Sequence, residues 1–95
     1  MTIRIRPMTR ADIPHGMRFK EAAGWNQTEA DWERFLDLEP EGCFVAEMDG
    51  EVVGTATTCR FGRQCGWLAM LLVPPERRRM GIGSTLFRHA VAYLE

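Results

Sequence analysis

The turn Val73-Pro74-Pro75-Glu76-Arg77-Arg78-Arg79-Met80-Gly81-Ile82-Gly83-Ser84 constrains this chain more than any other stretch. It follows an apolar strand pattern at residues 67–72 and leads into a helical pattern at residues 85–94. Ile82, Leu86, Ala90 and Leu94 fall together on that helix with Phe87 and Val91 alongside, enough apolar surface to pack on a sheet. The first N–H groups of a helix have no internal partner, and the macrodipole adds partial positive charge there. Gly81 and Gly83 remove side chains that would keep an anion away from those N–H groups, while Arg78 and Arg79 bring fork-shaped donors to the rim. These features together suit a diphosphate.

The rest of the chain supplies a sheet and two more helices. Residues 2–6 alternate polar and apolar and read as a half-buried strand stopped by Pro7. Thr9-x-x-Asp12 has the form of a capping box, yet Pro14 could not donate inside a helix begun at Arg10. The main helix is therefore placed from Ile13, with Asp12 as its cap and Gly24 as its C′ glycine. Thr28-x-x-Asp31 caps a second helix with Trp32, Phe35 and Leu36 on one face, ended by Pro40 and Gly42. Residues 43–48 form a strand, Asp49-Gly50 a two-residue hairpin turn, and residues 51–59 the returning strand. Thr55, Thr57 and Cys59 share one face of that strand, and Gly54, Ala56 and Thr58 the other. A turn at residues 61–64 leads to a third strand of the meander at 65–72, so nearly continuous in apolar residues that both faces should be covered. The order β-α-α-β-β-β-α describes an α/β fold, a mostly antiparallel sheet with flanking helices.

Which phosphate ligand the turn suits can be narrowed by its spacing. A Walker loop needs a lysine before its Ser/Thr, but Gly83 is followed directly by Ser84-Thr85. The dinucleotide fingerprint needs a third glycine where Leu86 stands. What the turn does match is Arg78-x-x-Gly81-x-Gly83, placed after a strand that ends Leu72-Val73-x-Pro75. This resembles the acetyl-CoA signature Q/R-x-x-G-x-G/A of the GCN5-related N-acetyltransferase (GNAT) superfamily.

The resemblance implies a partial GNAT-like acyl-CoA N-acyltransferase fold, with acetyl-CoA as co-substrate and a small-molecule or peptide amine as acceptor. It implies that Arg78, Arg79, Met80, Gly81, Ile82, Gly83 and Ser84 grip the diphosphate. Leu71, Leu72 and Val73 would hold the pantetheine arm like another strand and offer a backbone N–H to the thioester oxygen. Family members often carry a glutamate base on this strand, which here offers Ala69 and Met70. Their acid tyrosine lies on a fourth helix with no counterpart in these residues, and no catalytic residue is assigned. Glu47 reads as a solvated edge residue rather than a base, and Tyr93 and His89 as surface or packing residues. Trp25 suits an acceptor cleft or burial against the helices. The wording around residues 24–28 and 67–73 resembles one branch, in which such a domain opens a longer chain of two acetyltransferase-like halves. The family's fifth strand and closing strands have no counterpart, and the last helix stops at Glu95 without a glycine cap. The 95 residues therefore read as a single, incomplete acetyltransferase domain, a poor catalyst in isolation. A non-catalytic CoA-binding or interaction module is the alternative.

Composition excludes other classes. A net charge of −1 argues against a general nucleic-acid binder, so the arginine run is local. No apolar run approaches membrane-spanning length, and the N-terminus has no signal-peptide pattern. Cys43, Cys59 and Cys65 form no CxxC pair and no metal spacing, and read as packing residues of a cytoplasmic protein, although Cys59 and Cys65 might face each other across a hairpin. The strand at 67–72 would be an uncovered apolar edge, from which a homodimer or a pairing C-terminal segment is expected.

Overall fold

The computed structural model describes residues 2–61 and 65–95. Four strands, β1 (Ile3–Pro7), β2 (Cys43–Met48), β3 (Glu51–Phe61) and β4 (Cys65–Leu72), pair in the order β1-β2-β3-β4, each antiparallel to its neighbour. The helices α1 (Ile13–Ala23) and α2 (Glu29–Leu38) connect β1 to β2, and α3 (Ile82–Leu94) follows β4. This is the element order and the α/β class expected from the sequence. The turn at residues 62–64 lies outside the described residues.

Local chemistry explains most boundaries. Thr28 and Asp31 form a reciprocal capping box at the start of α2, with the Thr28 N–H donating to Asp31 Oδ2 at 2.8 Å. Gly24 ends α1 in the left-handed region at φ 73°, where its missing Cβ removes the usual penalty. Asp49 and Gly50 both have positive φ, 55° and 79°, as a two-residue hairpin turn with right-twisted strands requires. The start of α1 differs from the expectation. Thr9 and Asp12 do form a capping box, but around a separate 3-10 turn (Arg10–Asp12), and Asp12 makes no side-chain cap to α1. The capping box and the later helix start coexist, because the chain takes the two turns one after the other.

Two apolar clusters cover the two faces of the sheet. On one, Phe19 of α1 and Trp32 and Leu36 of α2 pack over Cys43, Val45, Val52, Met70 and Leu72. Gly16 permits this approach, since a Cβ there would lie 2.7 Å from Trp32 Cε2. On the other face, Ile82, Leu86 and Ala90 of α3 are buried against Phe44, Ala46, Val53 and Ala56. Gly54 lets α3 lie close: a Cβ would meet Leu86 Cδ1 at 2.8 Å. The expectation of full cover for β4 fails at Trp67, which is 57% exposed. Trp67 sits opposite Cys59 in the register, while Cys65 sits opposite Phe61, so the two cysteines are not cross-strand partners. Burial pushes the Cys43 thiol up to about 12, which fits an inert packing residue.

Candidate functional site

The turn after β4 becomes a concave backbone cradle. Pro74 and Pro75 start a 3-10 turn, closed by the Arg77 N–H on the Pro74 carbonyl at 2.9 Å. Arg79 (φ 67°) and Gly81 (φ 82°) then take left-handed conformations, which reverse the chain into the first turn of α3. The first intrahelical bond to the cap comes from Thr85, whose N–H reaches the Gly81 carbonyl at 3.0 Å. Helix geometry therefore leaves the N–H groups of Ile82, Gly83 and Ser84 without an intrahelical acceptor, and no side chain caps them.

A recess of about 230 Å³ opens at this point, lined by Val73, Arg77, Arg78, Arg79, Gly81, Ile82, Gly83 and Ser84. The structure thus brings together most of the residues singled out in the turn. Arg78, Arg79 and Ser84 are exposed, as is Met80, which does not line the recess. Ile82 is divided in function: its side chain is 1% exposed and anchors α3 in the core, while its N–H belongs to the first helical turn. Among the described residues Arg78 and Arg79 make no salt bridge, whereas Arg77 pairs with Glu51 across the entry to β3. Gly83 is spacious on the protein side, since a Cβ there would meet only Val73 Cγ2 at 3.8 Å. Of the strand residues, Leu72 faces the α1/α2 cluster and Leu71 and Val73 pack toward the α3 cluster. Only Val73 lines the recess.

β4 carries a feature that its sequence does not advertise. Its register with β3 runs Thr55↔Leu72 but Thr57↔Ala69, so β4 has one residue more than β3 across this interval. Met70 takes φ 52° at the irregularity, and Ala69 and Met70, though consecutive, both pack with the α1/α2 cluster. No glycine or proline marks the place, which is why periodicity alone reads an uninterrupted strand.

Other candidates are accounted for elsewhere. Glu47 accepts from Arg6 Nε at 2.9 Å on β2, two strands from β4. The Tyr93 hydroxyl donates to Glu39 at 2.5 Å, and that bond, with burial, pushes it up to about 12. His89 stacks edge-on to Phe44, with ring centroids 4.6 Å apart. Trp25 is 41% exposed, which removes the reading of a tryptophan buried against the helices. Among the described residues no group of three or more His, Cys, Asp or Glu gathers to hold a metal, and no helix is long and apolar enough to cross a membrane.

A four-stranded antiparallel sheet flanked by helices, in this element order, is a GNAT-like fold. Residues 11–95 match the model of the Acetyltransferase (GNAT) family, and the chain belongs to that family. Among solved structures it is similar to Ard1 from Thermoplasma volcanium, with a TM-score of 0.91 and 24% identity over 99% of this chain and 64% of that one. It is similar to N-acetylglutamate synthase from Neisseria gonorrhoeae complexed with coenzyme A and N-acetyl-glutamate, with a TM-score of 0.78 and 25% identity over 99% of this chain and 23% of that one. Rv2747 from Mycobacterium tuberculosis, solved in complex with CoA, gives a TM-score of 0.83 and 16% identity over 96% of this chain and 57% of that one. This chain spans less than two thirds of the length of each of these structures. No curated protein matches the sequence.

Proposed function

We propose that this domain binds acetyl-CoA and transfers its acetyl group to an amine, with the coenzyme diphosphate seated on the cradle between β4 and α3. The observation that carries this reading is the uncapped first turn of α3 opening into an arginine-rimmed recess. In this reading the N–H groups of Ile82, Gly83 and Ser84 face the diphosphate oxygens. Arg78, Arg79 and Gly81 form the rim, Met80 lies exposed beside it, and Leu71, Leu72 and Val73 flank the pantetheine arm. In the transfer itself the amine nitrogen bonds to the thioester carbon, the C–S bond breaks, and the thiolate leaves with the proton that the nitrogen sheds. An amine acceptor is supported by the Neisseria complex, whose N-acetyl-glutamate carries its acetyl group on nitrogen. For partners, the proposal is a second copy or a C-terminal segment paired on the edge of β4, which no further strand covers among the described residues and where Trp67 is exposed. In this reading the 95 residues belong to one transferase domain.

Gly83→Asp tests the coenzyme site. A carboxylate in the first turn of α3 suits the helix dipole and meets no close neighbour, so the variant should fold at least as well as the wild type. Against a phosphate it is repulsive. At about 4 Å and an effective dielectric of about 20, two like charges cost about 4 kcal/mol. Titration calorimetry should therefore show acetyl-CoA affinity falling by at least about 100-fold while the melting temperature holds or rises. Equal affinity in the two proteins would sink the assignment.

A further inference from the structure

Thr55 and Thr57 are wholly buried polar residues on β3, and each spends its hydroxyl on the bulge of β4. Thr55 Oγ1 donates to the Met70 carbonyl at 2.9 Å, and Thr57 Oγ1 donates to the Ala69 carbonyl at 2.9 Å. In a regular strand, successive carbonyls point to opposite sides. Here two successive carbonyls are held by the same neighbouring strand. No cis peptide occurs among the described residues, and in a trans peptide the N–H lies opposite the C=O. The N–H of Met70 is therefore turned away from Thr57, and that of Leu71 away from Thr55. The positive φ of Met70 accompanies this shared orientation of two consecutive N–H groups, an arrangement in which backbone donors can converge on one acceptor. Beyond β4 no further strand pairs among the described residues.

We propose that Thr55 and Thr57 are positioning residues for acyl transfer: by fastening the Ala69 and Met70 carbonyls, they aim the N–H groups of Met70 and Leu71 at the thioester oxygen. This rests on the coenzyme reading given above; of the expected donors Leu71 to Val73 it keeps Leu71 and adds Met70. Neither threonine touches the coenzyme; both act through the backbone of β4. A merely structural threonine would affect stability alike with any ligand. A positioning threonine affects the acyl oxygen, which acetyl-CoA has and CoA lacks.

The experiment is titration calorimetry of acetyl-CoA and of CoA against the wild type, Thr55→Val, Thr57→Val, Thr55→Ser and Thr57→Ser. The wild type should prefer acetyl-CoA by roughly threefold to tenfold, the yield of one well-placed hydrogen bond. Each valine variant should lose that preference while its CoA affinity stays, and each serine variant, which retains the hydroxyl, should keep it. A preference undiminished in both valine variants overturns the positioning role and leaves the coenzyme site standing. Failure of the wild type to bind either ligand overturns the coenzyme reading and this inference together. Should valine prevent folding, the wild type supplies the second arm by NMR. The Met70 and Leu71 amide signals must shift further with acetyl-CoA than with CoA, and equal responses to the two ligands overturn the proposal.

Discussion

Replacing Asp12 by asparagine should weaken the domain in a way that depends on pH. Asp12 is 4% exposed, and its carboxylate accepts from Arg6 Nη1 at 2.8 Å and Nη2 at 2.9 Å, and from the Thr9 N–H at 2.9 Å. Arg6 also reaches Glu47 through Nε, so one guanidinium ties β1 to β2 and to the turn that begins α1. Asparagine keeps the volume but removes the charge and one acceptor. Breaking a fully buried pair costs about 3–5 kcal/mol. The Arg6 side chain is 28% exposed and keeps Glu47, so the loss belongs nearer the range of charge-assisted hydrogen bonds, about 1.5–3 kcal/mol. For a domain of this size, about 2 kcal/mol corresponds to a fall in melting temperature of about 8–16 °C.

The pH dependence follows from the same contacts. Burial pushes the Asp12 carboxyl up, but the hydrogen bonds from Arg6 and Thr9 outweigh it and hold the group below the ordinary carboxylate value. A carboxyl depressed in the folded state contributes its full stabilisation above the unfolded value of about 3.9 and loses it as the pH falls through the folded value. Urea unfolding of the wild type and Asp12→Asn at intervals between pH 7 and pH 3 is the assay. The gap between them should be widest at neutral pH and narrow below about pH 4. Glu47→Gln, which loses one contact at a more exposed site, should cost less than Asp12→Asn. A gap independent of pH, or no gap at pH 7, would refute the reasoning.

Gly54→Ala should destabilise the domain by about 1–3 kcal/mol, because the new Cβ would crowd Leu86 Cδ1 at 2.8 Å, Ile82 Cγ2 at 3.1 Å and the Leu72 carbonyl at 3.2 Å. The strain falls on the first turn of α3, so acetyl-CoA titrations should show weaker binding as well as a lower melting temperature; a normal melt would show that α3 can move away without loss. The β4 edge should make the chain associate, and Trp67→Lys, which puts a charge on a residue 57% exposed, should reduce the association seen by light scattering. A monomer at high concentration, unchanged by the substitution, would contradict edge pairing.

What could be read from the sequence is what local chemistry decides. Thr28-x-x-Asp31, Gly24 and Asp49-Gly50 each solve a backbone problem within four residues, and the structure places each where that chemistry requires. The cradle is legible for the same reason: Gly81, Gly83 and the arginines lie within six residues of one another. The bulge is not legible, because nothing local causes it. Methionine has no preference for positive φ, and left-handed backbone at such a residue costs on the order of 1–3 kcal/mol. At Met70 that cost is offset by two hydroxyls from a strand up to fifteen residues away and by the burial of the Met70 side chain, which is 5% exposed. A periodic reading of residues 65–72 has no access to either. The Arg6, Asp12 and Glu47 cluster is illegible for the same reason, since Arg6 and Glu47 are separated by 41 residues and meet only when β1 pairs with β2. Strain concentrated at Met70, rather than shared along β4, argues that the irregularity is specified. The Thr55 and Thr57 hydroxyls, which must find acceptors once buried, meet the Met70 and Ala69 carbonyls at this irregularity and so hold the positive φ in place.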